Sequence, residues 1–536
     1  MGVFCAYFPM KKEKIMKRFL SVMLGAVTAV SCLSMAGCGG TKIDPNALVI
    51  EYYKAGYGDT WIKNLAAEYT KLYGQEVVLL PREGKTGLTK MEGSLTSGTA
   101  ETDLFFAGSP SFGDIYRGTI SAGGKKYDTW YADLTDLYES KIDGENITVE
   151  DKMFDYFQEY LKMDTDDGAY YDQKYHFFPY TTGLFGIVVN VDVWNKVAQG
   201  KEYPRTTDEL LEICDSVKKT VAPFLYSVSD EYWTASLPVF MHQYEGDERM
   251  NNFYKGYGPT QDVRYDTNMV AYDGYEKALE FFEVLLKPSN GYMHERCAAF
   301  DFNAMQGQFL KGQSLFVVNG EWLENEMIVN YPNSNIEMMK TPILSALADK
   351  CSFSGNDNRD TILCEIVDYV DGKTQTKPAN CTDDDIEIVR SARKVEYVTG
   401  SSNTAYVPSY SNQIPAAKTF LRMMASDEGM KIFRNGTNGS EMPFYYTNSE
   451  NAVNENASVF RKSVNDVLSL SDAKFVNKKD RIYALGGIIV ELYNNSYGKF
   501  AIAFKNGKAT AAEYFAAEVD AVNKKLPGAR QQANIK

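Results

Sequence analysis

The sequence predicts an α/β fold of two lobes, each with a mostly parallel sheet flanked by helices. Three observations support this class. The chain has 536 residues, whereas single hydrophobic cores rarely grow beyond roughly 250 to 300 residues, so at least two folding units are expected. Its composition, 44% hydrophobic and 24% charged, is that of a globular protein. Strand-like and helix-like segments also alternate along it, which is typical of parallel sheets covered by helices.

The N-terminal segment, residues 1–37, has the order of an export signal. Basic residues from Lys11 to Arg18 precede an uncharged stretch that runs from Phe19 to Gly37. Small residues stand immediately before Cys38, which resembles a bacterial lipobox and implies cleavage after Gly37 and lipidation of Cys38. Residues 38–46 are then expected to form a flexible tether. A buried or anchoring helix is the alternative, and the Ser, Thr and Gly content of the stretch argues against it.

The charge balance excludes a class of partner. Removing residues 1–37 takes away five basic and one acidic residue, which leaves 51 basic and 70 acidic side chains and a net charge of −19. Nucleic-acid binding would require a basic surface instead, so no nucleic-acid partner is expected. We expect an acidic, monomeric body held to the extracytoplasmic face of the cell membrane by an N-terminal lipid anchor.

Cysteine and histidine spacing predicts neither a metal site nor a cofactor. No CxxC pair or Cys/His spacing suggests zinc, and the three histidines are scattered along the chain. Outside the cytoplasm a disulfide is permitted, and Cys351 with Cys364 could close a small loop. Cys214 lies on the apolar stripe of a predicted helix, as a small buried hydrophobic residue would.

The first part of the body alternates strands with helices. Residues 47–53 (ALVIEYY) predict a strand, and residues 59–72 follow as an amphipathic helix with Asp59 as its N-cap and Gly74 as its terminator. Residues 75–81 and 102–108 predict two further strands with a helix between them. This order predicts a mostly parallel sheet with helices on both faces.

The pattern repeats with different segments further along. Residues 186–194 predict a strand, which is followed by a helix with a capping box at Thr206 and Glu209. A second helix over 275–287 and a strand over 314–319 complete this unit. Three helices are predicted towards the end of the chain, over 416–436, 482–497 and 510–526. The chain therefore holds two α/β units and a helical tail.

Three short stretches are predicted to cross from one unit to the other, because each joins an extended segment to proline or small polar residues. They are FPYTTG (178–183), MKTPIL (339–344) and VPSYSN (407–412). These crossings predict a first lobe of 47–180 and 342–406 and a second lobe of 181–341 and 407–536. Residues 352–403, polar and strand-poor, would then elaborate the first lobe.

Several stretches resemble the maltose-binding-protein family of extracellular solute-binding proteins. They are TDLFFAGSPSFG, YHFFPYTTGLFGIVVN, PRTTDELLEICDSVK, GQSLFVVNGEW and AYVPSYSNQIPAAKTFLRMMAS, and together they span most of residues 47–440 in the family's order. The resemblance implies a two-lobed periplasmic-binding-protein-like fold with three hinge crossings. It also implies a lipoprotein without catalytic activity that delivers a carbohydrate to the permease subunits of an ATP-driven (ABC) importer.

The same resemblance assigns candidate ligand contacts. Trp322 corresponds to the family's stacking tryptophan, displayed after a buried strand by the Asn319-Gly320 turn, where a sugar's C–H face would meet the indole ring. Without the resemblance, core packing would be the preferred reading of Trp322. Other candidates lie in loops or at crossings that should border the cleft: Tyr57, Trp61, Trp233, Gln243, Tyr180, Tyr410, Glu321 and Ser109. For most of these, core packing or a capping role is an equally plain reading.

One departure from the family concerns the loop that contains Ser109. Where the family offers an aspartate and an arginine for sugar hydroxyls, this chain has Pro110 and Ser111, so the ligand or its pose must differ. Two alternatives to sugar capture remain open. One is a surface-anchored glycoside hydrolase, which would need two carboxylates roughly 5 to 9.5 Å apart across a sugar site. The other is the same fold binding a solute other than a sugar.

Overall fold

A computed structural model describes the residues on which the fold is argued. They are 43–54, 56–98, 101–108, 119–161, 174–227, 232–254, 256–260, 263–398, 403–454, 457–470, 474–475 and 499–532. The predicted export signal, Cys38, Ser109 and the predicted helix over 482–497 lie outside these ranges. Within them, no helix combines the length and apolar character needed to cross a bilayer.

The strands are short and are spread over the whole chain. They are β1 (Leu48–Tyr53), β2 (Val77–Arg82), β3 (Leu104–Gly108), β4 (Ile120–Ala122), β5 (Lys125–Tyr127), β6 (Phe178–Pro179), β7 (Leu184–Asn190), β8 (Ala222–Leu225), β9 (Ser314–Gly320), β10 (Ile336–Met339), β11 (Val395–Val398), β12 (Asn403–Tyr406) and β13 (Lys474–Phe475).

Helices of very different length connect these strands. They are α1 (Thr60–Tyr73), α2 (Gly84–Thr96), α3 (Thr135–Glu139), α4 (Val149–Lys152), α5 (Asp155–Leu161), α6 (Val191–Val197), α7 (Thr207–Val217), α8 (Trp233–Glu245), α9 (Asp247–Tyr254), α10 (Asp273–Leu286), α11 (Phe302–Leu310), α12 (Leu323–Met327), α13 (Arg359–Val370), α14 (Asp383–Arg393), α15 (Ile414–Met424), α16 (Asp427–Gly436), α17 (Ser449–Ala452), α18 (Val459–Leu470), α19 (Lys499–Lys505) and α20 (Ala511–Gln532), with short 3₁₀ segments at Pro288–Asn290, Cys297–Ala299 and Ser345–Lys350.

The first sheet has the strand order β2-β1-β3-β12-β6. Strand β1 runs parallel to β2 and β3, with Ile50 opposite Leu79 on one side and Leu104 on the other. Its residues are buried on both faces, as expected for a strand that helices cover on both sides. Gly74 ends α1 in the left-handed conformation, as predicted. The Asp59 side chain does not cap α1 and instead pairs with Lys63 at 2.9 Å.

The second sheet has the order β13-β11-β7-β9-β8, and β10 also pairs with β7. The expectation of mostly parallel strands is wrong here, because β7 is antiparallel to β9, β10 and β11. The strand predicted over 186–194 also ends early, at Asn190. The Asn190 side chain accepts a hydrogen bond from the Val193 amide at 3.0 Å and so begins α6.

The sheet topology shows where the chain passes from one sheet to the other, once at a predicted crossing and twice elsewhere. Residues 180–183 do cross, since β6 belongs to the first sheet and β7 to the second. The chain also changes sheets between β11, which belongs to the second sheet, and β12, which belongs to the first, and it does not do so at 339–344. The third crossing joins α16, which packs on α1, to α18, which packs on β10. It therefore follows residue 436, and the stretch 407–412 stays with the first sheet.

These contacts also correct the predicted lobe boundaries after residue 342. Segment 345–393 packs on the second lobe, where Arg205 pairs with Asp368 and Thr206 Oγ1 donates to Asp360 at 3.1 Å. Helices α15 and α16 belong instead to the first lobe; Phe420, for example, packs on Tyr69 with ring centroids 5.4 Å apart. The sequence missed this exchange because the second and third crossings were both predicted too early along the chain.

The described cysteines are all free thiols. Cys351 and Cys364 both belong to segment 345–393 and are buried there without a bond between them. Burial raises the pKa of the Cys351 thiol to about 12. The disulfide that their spacing permits is therefore not formed in this structure.

The approach to the third crossing is fastened by Asp427, the first residue of α16. Its carboxylate accepts hydrogen bonds from the buried ammonium group of Lys152 at 2.7 Å and from the backbone amides of Thr447 and Asn448 at 3.0 Å. Burial by itself would raise the pKa of Asp427, but Lys152 and the amide donors outweigh it and hold that pKa well below its usual range. The ionised form therefore stabilises the fold.

Replacing Asp427 with asparagine is expected to lower the free energy of unfolding at pH 7 by about 2 kcal/mol, the order of a lost charge-assisted hydrogen bond. A carboxylate with a depressed pKa stabilises the fold above its unfolded-state pKa and loses that contribution as pH falls. The difference between the two proteins should accordingly shrink below roughly pH 4. Urea unfolding at several pH values measures it, and an equal loss at pH 7 and pH 3 would contradict the argument.

Candidate functional site at the junction of the sheets

A buried polar cluster forms where β9 ends beside the first crossing. The carboxylate of Glu321 accepts a hydrogen bond from Arg461 Nη1 at 2.6 Å through Oε2. Its Oε1 accepts from the Thr181 hydroxyl at 3.1 Å, the Gly183 amide at 3.1 Å and the Tyr57 hydroxyl at 3.3 Å. We call Tyr57, Thr181, Glu321 and Arg461 the Glu321 cluster. It joins side chains from both lobes and from the crossing.

Arg461 is fully buried, with an exposed side-chain fraction of 0%. Its Nη2 donates to the Glu321 carbonyl and to Ser440 Oγ, both at 3.1 Å. Gly439 lies against the arginine stem, where a Cβ would come within 2.8 Å of Arg461 Cγ, and its φ of +99° also favours glycine. The guanidinium group and the carboxylate therefore compensate each other's charge away from water.

Tyr57, which was predicted to line a ligand cleft, has a buried ring and belongs to this cluster instead. Its hydroxyl lies 3.2 Å from the Thr181 hydroxyl, and its ring packs 6.3 Å from that of Phe433 in the first lobe. Burial, and then the charge of Glu321, raise the pKa of the Tyr57 hydroxyl well above its ordinary value. Tyr57 is therefore a protonated donor to Glu321 across physiological pH.

Trp61 and Tyr180 lie beside the cluster as core residues and present no exposed ring face. Their rings stack with centroids 5.5 Å apart and an interplanar angle of 17°, and Phe106 meets Trp61 edge-on at 5.3 Å. Trp61 Nε1 donates to the Gly58 carbonyl at 3.2 Å. The prediction that these two side chains line a ligand cleft is corrected accordingly: they support the floor of the first lobe.

Among the candidates that the structure describes, Trp322 keeps an exposed surface, since its side chain is only partly buried. Its ring lies 5.9 Å from that of Phe185. It also lies against the backbone of the loop after β1, where a Cβ on Gly56 would come within 3.0 Å of Trp322 Cβ. The strand runs one residue further than predicted, to Gly320, so the turn that displays Trp322 consists of Glu321 and Trp322 themselves.

Two tyrosines that sequence reasoning missed surround the same phenylalanine. Tyr232 and Tyr397 each meet the Phe185 ring edge-on, at 5.4 and 5.9 Å, and both are partly buried. We call Trp322, Tyr232 and Tyr397, with Phe185 beneath them, the aromatic patch. Tyr232 stands directly before Trp233, the residue that was predicted instead. The only available signal was that neighbouring residues of a helical turn point in different directions, which does not say which one faces the core.

Trp233 and Gln243 are structural residues of the second lobe. Trp233 packs against Phe224 and Phe282 at 5.4 and 5.5 Å. Gln243 is buried, donates to the Pro342 carbonyl at 3.2 Å and accepts from the Leu344 amide at 2.9 Å, which fastens the start of segment 345–393. Neither side chain has surface left for a ligand, so both predictions are wrong in this conformation.

Tyr410 belongs to a different part of the first lobe. It is buried with Ile120 and Ala122 in a small cluster of its own, and its hydroxyl donates to the Leu95 carbonyl at 2.6 Å. The structure therefore does not place it with the aromatic patch or the Glu321 cluster. Its predicted position on the cleft floor depended on a crossing at 407–412, which the sheet topology does not contain.

The Glu321 carboxylate also has different hydrogen-bond partners from those predicted. It was expected to accept hydrogen bonds from sugar hydroxyls, but both of its oxygens face protein donors and the residue is fully buried. Farther along, Glu324 accepts from Ser458 Oγ and Glu326 from Gln306 Nε2, both at 2.8 Å. Burial raises the pKa of both glutamates.

Comparison with known proteins identifies the fold. No protein-family profile matches the sequence, and no curated protein matches it. Among solved structures, a chitin oligosaccharide binding protein is similar with a TM-score of 0.57 and 15% identity over 90% of this chain and 100% of that chain.

Two further structures give the same result. The ABC substrate-binding protein from Listeria monocytogenes in complex with cycloalternan has a TM-score of 0.55 and 15% identity, over 90% of this chain and 99% of that chain. The binding protein MsmE from Bacillus subtilis, in an open conformation, has a TM-score of 0.55 and 14% identity, over 92% of this chain and 100% of that chain. The chain therefore has a two-lobed, periplasmic-binding-protein-like fold.

Proposed function

We propose that this chain, with its two-lobed fold, is a non-enzymatic substrate-binding lipoprotein that captures a sugar or oligosaccharide for an ABC importer. The similar structures support the substrate class, since their names specify a chitin oligosaccharide and cycloalternan as ligands. The sequence supports the location: the lipobox-like residues before Cys38 imply a lipid anchor on the extracytoplasmic face, and the permease subunits of the importer would be the partners.

The observation that carries the proposal is the aromatic patch. Three partly buried rings surround Phe185, the second residue of β7, directly after the first crossing. Sugar rings present polarised C–H groups that pack on aromatic faces, and the tyrosine hydroxyls add hydrogen-bond donors and acceptors. Trp322, Tyr232 and Tyr397 are thus the ligand contacts we propose. The other candidates are proposed to have a structural role, holding the backbone near these rings in place: Tyr57, Trp61, Tyr180 and Glu321.

Capture depends on movement at the crossings. A ligand shifts the lobes towards closure only if it binds the closed form better than the open one, and domain closure around a ligand is the change that a transporter can detect. The similarity to a structure in an open conformation is consistent with such movement. Trp322, which already touches the loop at Gly56, stands where closure would complete the contacts.

The hydrolase alternative receives no support from the carboxylates near Trp322. Glu324 and Glu326 lie two residues apart on α12 and therefore point to different faces of the helix. A retaining or inverting glycosidase needs two carboxylates that face each other across the sugar.

Isothermal titration of the full chain with gluco-, chito-, xylo- and galacto-oligosaccharides tests the proposal. We expect saturable binding of at least one series, and weaker binding after Tyr232→Ala or Tyr397→Ala. Tyr73→Ala, on the exposed end of α1, is the matched control and should bind like the parent. If the chain binds peptides or organic anions and no sugar, the proposed substrate class is wrong. If sugar fragments are released during incubation, the hydrolase alternative is favoured.

A further inference from the structure

The Glu321 cluster lies where four segments of the chain meet. Glu321 follows β9, Tyr57 belongs to the loop after β1, Thr181 belongs to the first crossing, and Arg461 lies on α18 beyond the third crossing. The hydrogen bonds among them span 124 to 264 residues of sequence. Local chain geometry therefore does not bring these groups together, and their position depends on how the two lobes are arranged.

The cluster also fastens two crossings to each other. Arg461 holds Ser440, and the Thr182 amide of the first crossing donates to the Glu441 carbonyl at 3.1 Å. Both residues 440 and 441 lie on the segment that leads from α16 to the third crossing. On the other side, the Glu321 amide donates to the Leu184 carbonyl at 2.8 Å, at the point where the first crossing enters β7. The ion pair is thus bound to the crossings from both sides.

The hydrogen-bond partners of the Glu321 carboxylate belong to different lobes. Arg461 moves with the second lobe, because α18 packs on β10, and Gly183 lies directly before β7 of that lobe. Tyr57 moves with the first lobe, since its ring packs on Phe433 of α16, the helix that packs on α1. Rotation of one lobe against the other would therefore stretch the Tyr57 bond to Glu321 and leave the Arg461 and Gly183 bonds in place.

We propose that the Glu321–Arg461 pair is the fixed pivot of lobe movement and that the Tyr57 hydroxyl is the contact that breaks on opening. The inference rests on the proposed function only in that lobe movement serves capture. Tyr57 is then a positioning residue for closure and does not touch the ligand. Removing its hydroxyl shifts the ligand-free protein towards the open form, and the apparent affinity falls by the same factor as the closed population.

Small-angle X-ray scattering of the ligand-free full chain tests the first half of this proposal. Tyr57→Phe should increase the radius of gyration relative to the parent chain. The matched control is Tyr69→Phe, which removes a buried hydroxyl of the same lobe that donates to Gln75 at 2.8 Å, and it should leave the radius unchanged. No increase in Tyr57→Phe, or an equal increase in both, would overturn the proposal.

Hydrogen exchange of the peptide that covers residues 181–186 tests the pivot itself. Its Gly183 amide donates to Glu321, so exchange should stay as slow in Tyr57→Phe as in the parent although the lobes open. Faster exchange there would show that the pair is not fixed. If Tyr57→Phe does not fold, Gly56→Ala replaces it, because the added methyl would meet Trp322 Cβ at 3.0 Å and should also open the lobes.

The design separates this inference from the proposed function. Both measurements are made without ligand, so a chain that binds no sugar would still show whether Tyr57 holds the lobes together. Conversely, a chain that binds sugar with an unchanged radius in Tyr57→Phe would retain its function and lose the pivot.

Discussion

Replacing Arg461 with methionine is expected to lower the free energy of unfolding by about 3 to 5 kcal/mol, the cost of leaving a buried charge without its partner. The Glu321 carboxylate would keep three hydroxyl and amide donors but lose the cation 2.6 Å away. Arg461 and Glu321 are both buried completely, so water cannot replace the guanidinium group without opening the junction. Denaturant unfolding of the two proteins at pH 7 measures the difference.

Two controls show whether burial is the cause. Arg422, on the surface of α15, pairs with Asp143 at 3.6 Å with both partners partly exposed. Arg422→Met should therefore cost less than about 1 kcal/mol. The double replacement Arg461→Met with Glu321→Met removes both buried charges and should recover much of the lost stability. A loss in Arg461→Met no larger than in Arg422→Met would contradict the ion pair's role.

The sequence could not reveal this pair because its members are 140 residues apart. Glu321 was noticed only as an acidic residue in the place of the family's proline. Arg461 lies directly after Phe460 in a helix whose buried side chains include Val464 and Val467, and an arginine at such a helix position is ordinarily solvated. The arginine is buried because α18 packs on the second sheet. The spacing of hydrophobic residues along the helix does not reveal that packing.

Elements were predicted better than their connections. The spacing of hydrophobic residues and the residues at element ends predicted the bounds of β1, α1, β3 and β9 to within two residues. Each of these elements is bounded by a local signal such as Gly74. Strand direction is a property of pairing between distant segments, so the antiparallel neighbours of β7 were missed. The exchange of segment 345–393 and of α15 with α16 between the lobes was missed for the same reason.

The residues proposed for the site stay a prediction, and the structure shows only where they lie. Trp322, Tyr57 and Glu321 lie near one junction, but Tyr57 and Glu321, which the sequence analysis offered as ligand contacts, are buried there and bonded to each other. The choice between Tyr232 and Trp233 is different in kind. Both are aromatic and adjacent, and only the packing of α8 on Phe224 and Phe282 decides that Trp233 turns inwards.

Replacing Trp322 with alanine is expected to weaken oligosaccharide binding by about 30-fold or more. Truncation of a central aromatic contact typically costs 2 kcal/mol or more, and each 1.4 kcal/mol is tenfold in affinity. Trp322 has two roles that act in the same direction. Its exposed part belongs to the aromatic patch, and its Cγ lies beside the Gly56 loop of the first lobe, 3.4 Å from where a Cβ on Gly56 would stand, so alanine removes a ligand contact and part of the packing on that loop.

Matched replacements separate those roles and complete the test by isothermal titration. Trp322→Phe retains a ring and the Cγ beside Gly56, which alanine lacks, so a smaller loss than in Trp322→Ala is expected. Trp194, which packs on Tyr203 at 4.8 Å and on Phe316 in the second lobe, lies outside the patch, and Trp194→Phe should leave affinity unchanged. If Trp322→Ala binds as tightly as the parent while thermal unfolding shows both to be folded, the ligand does not use the aromatic patch. The capture site would then have to be sought elsewhere between the lobes.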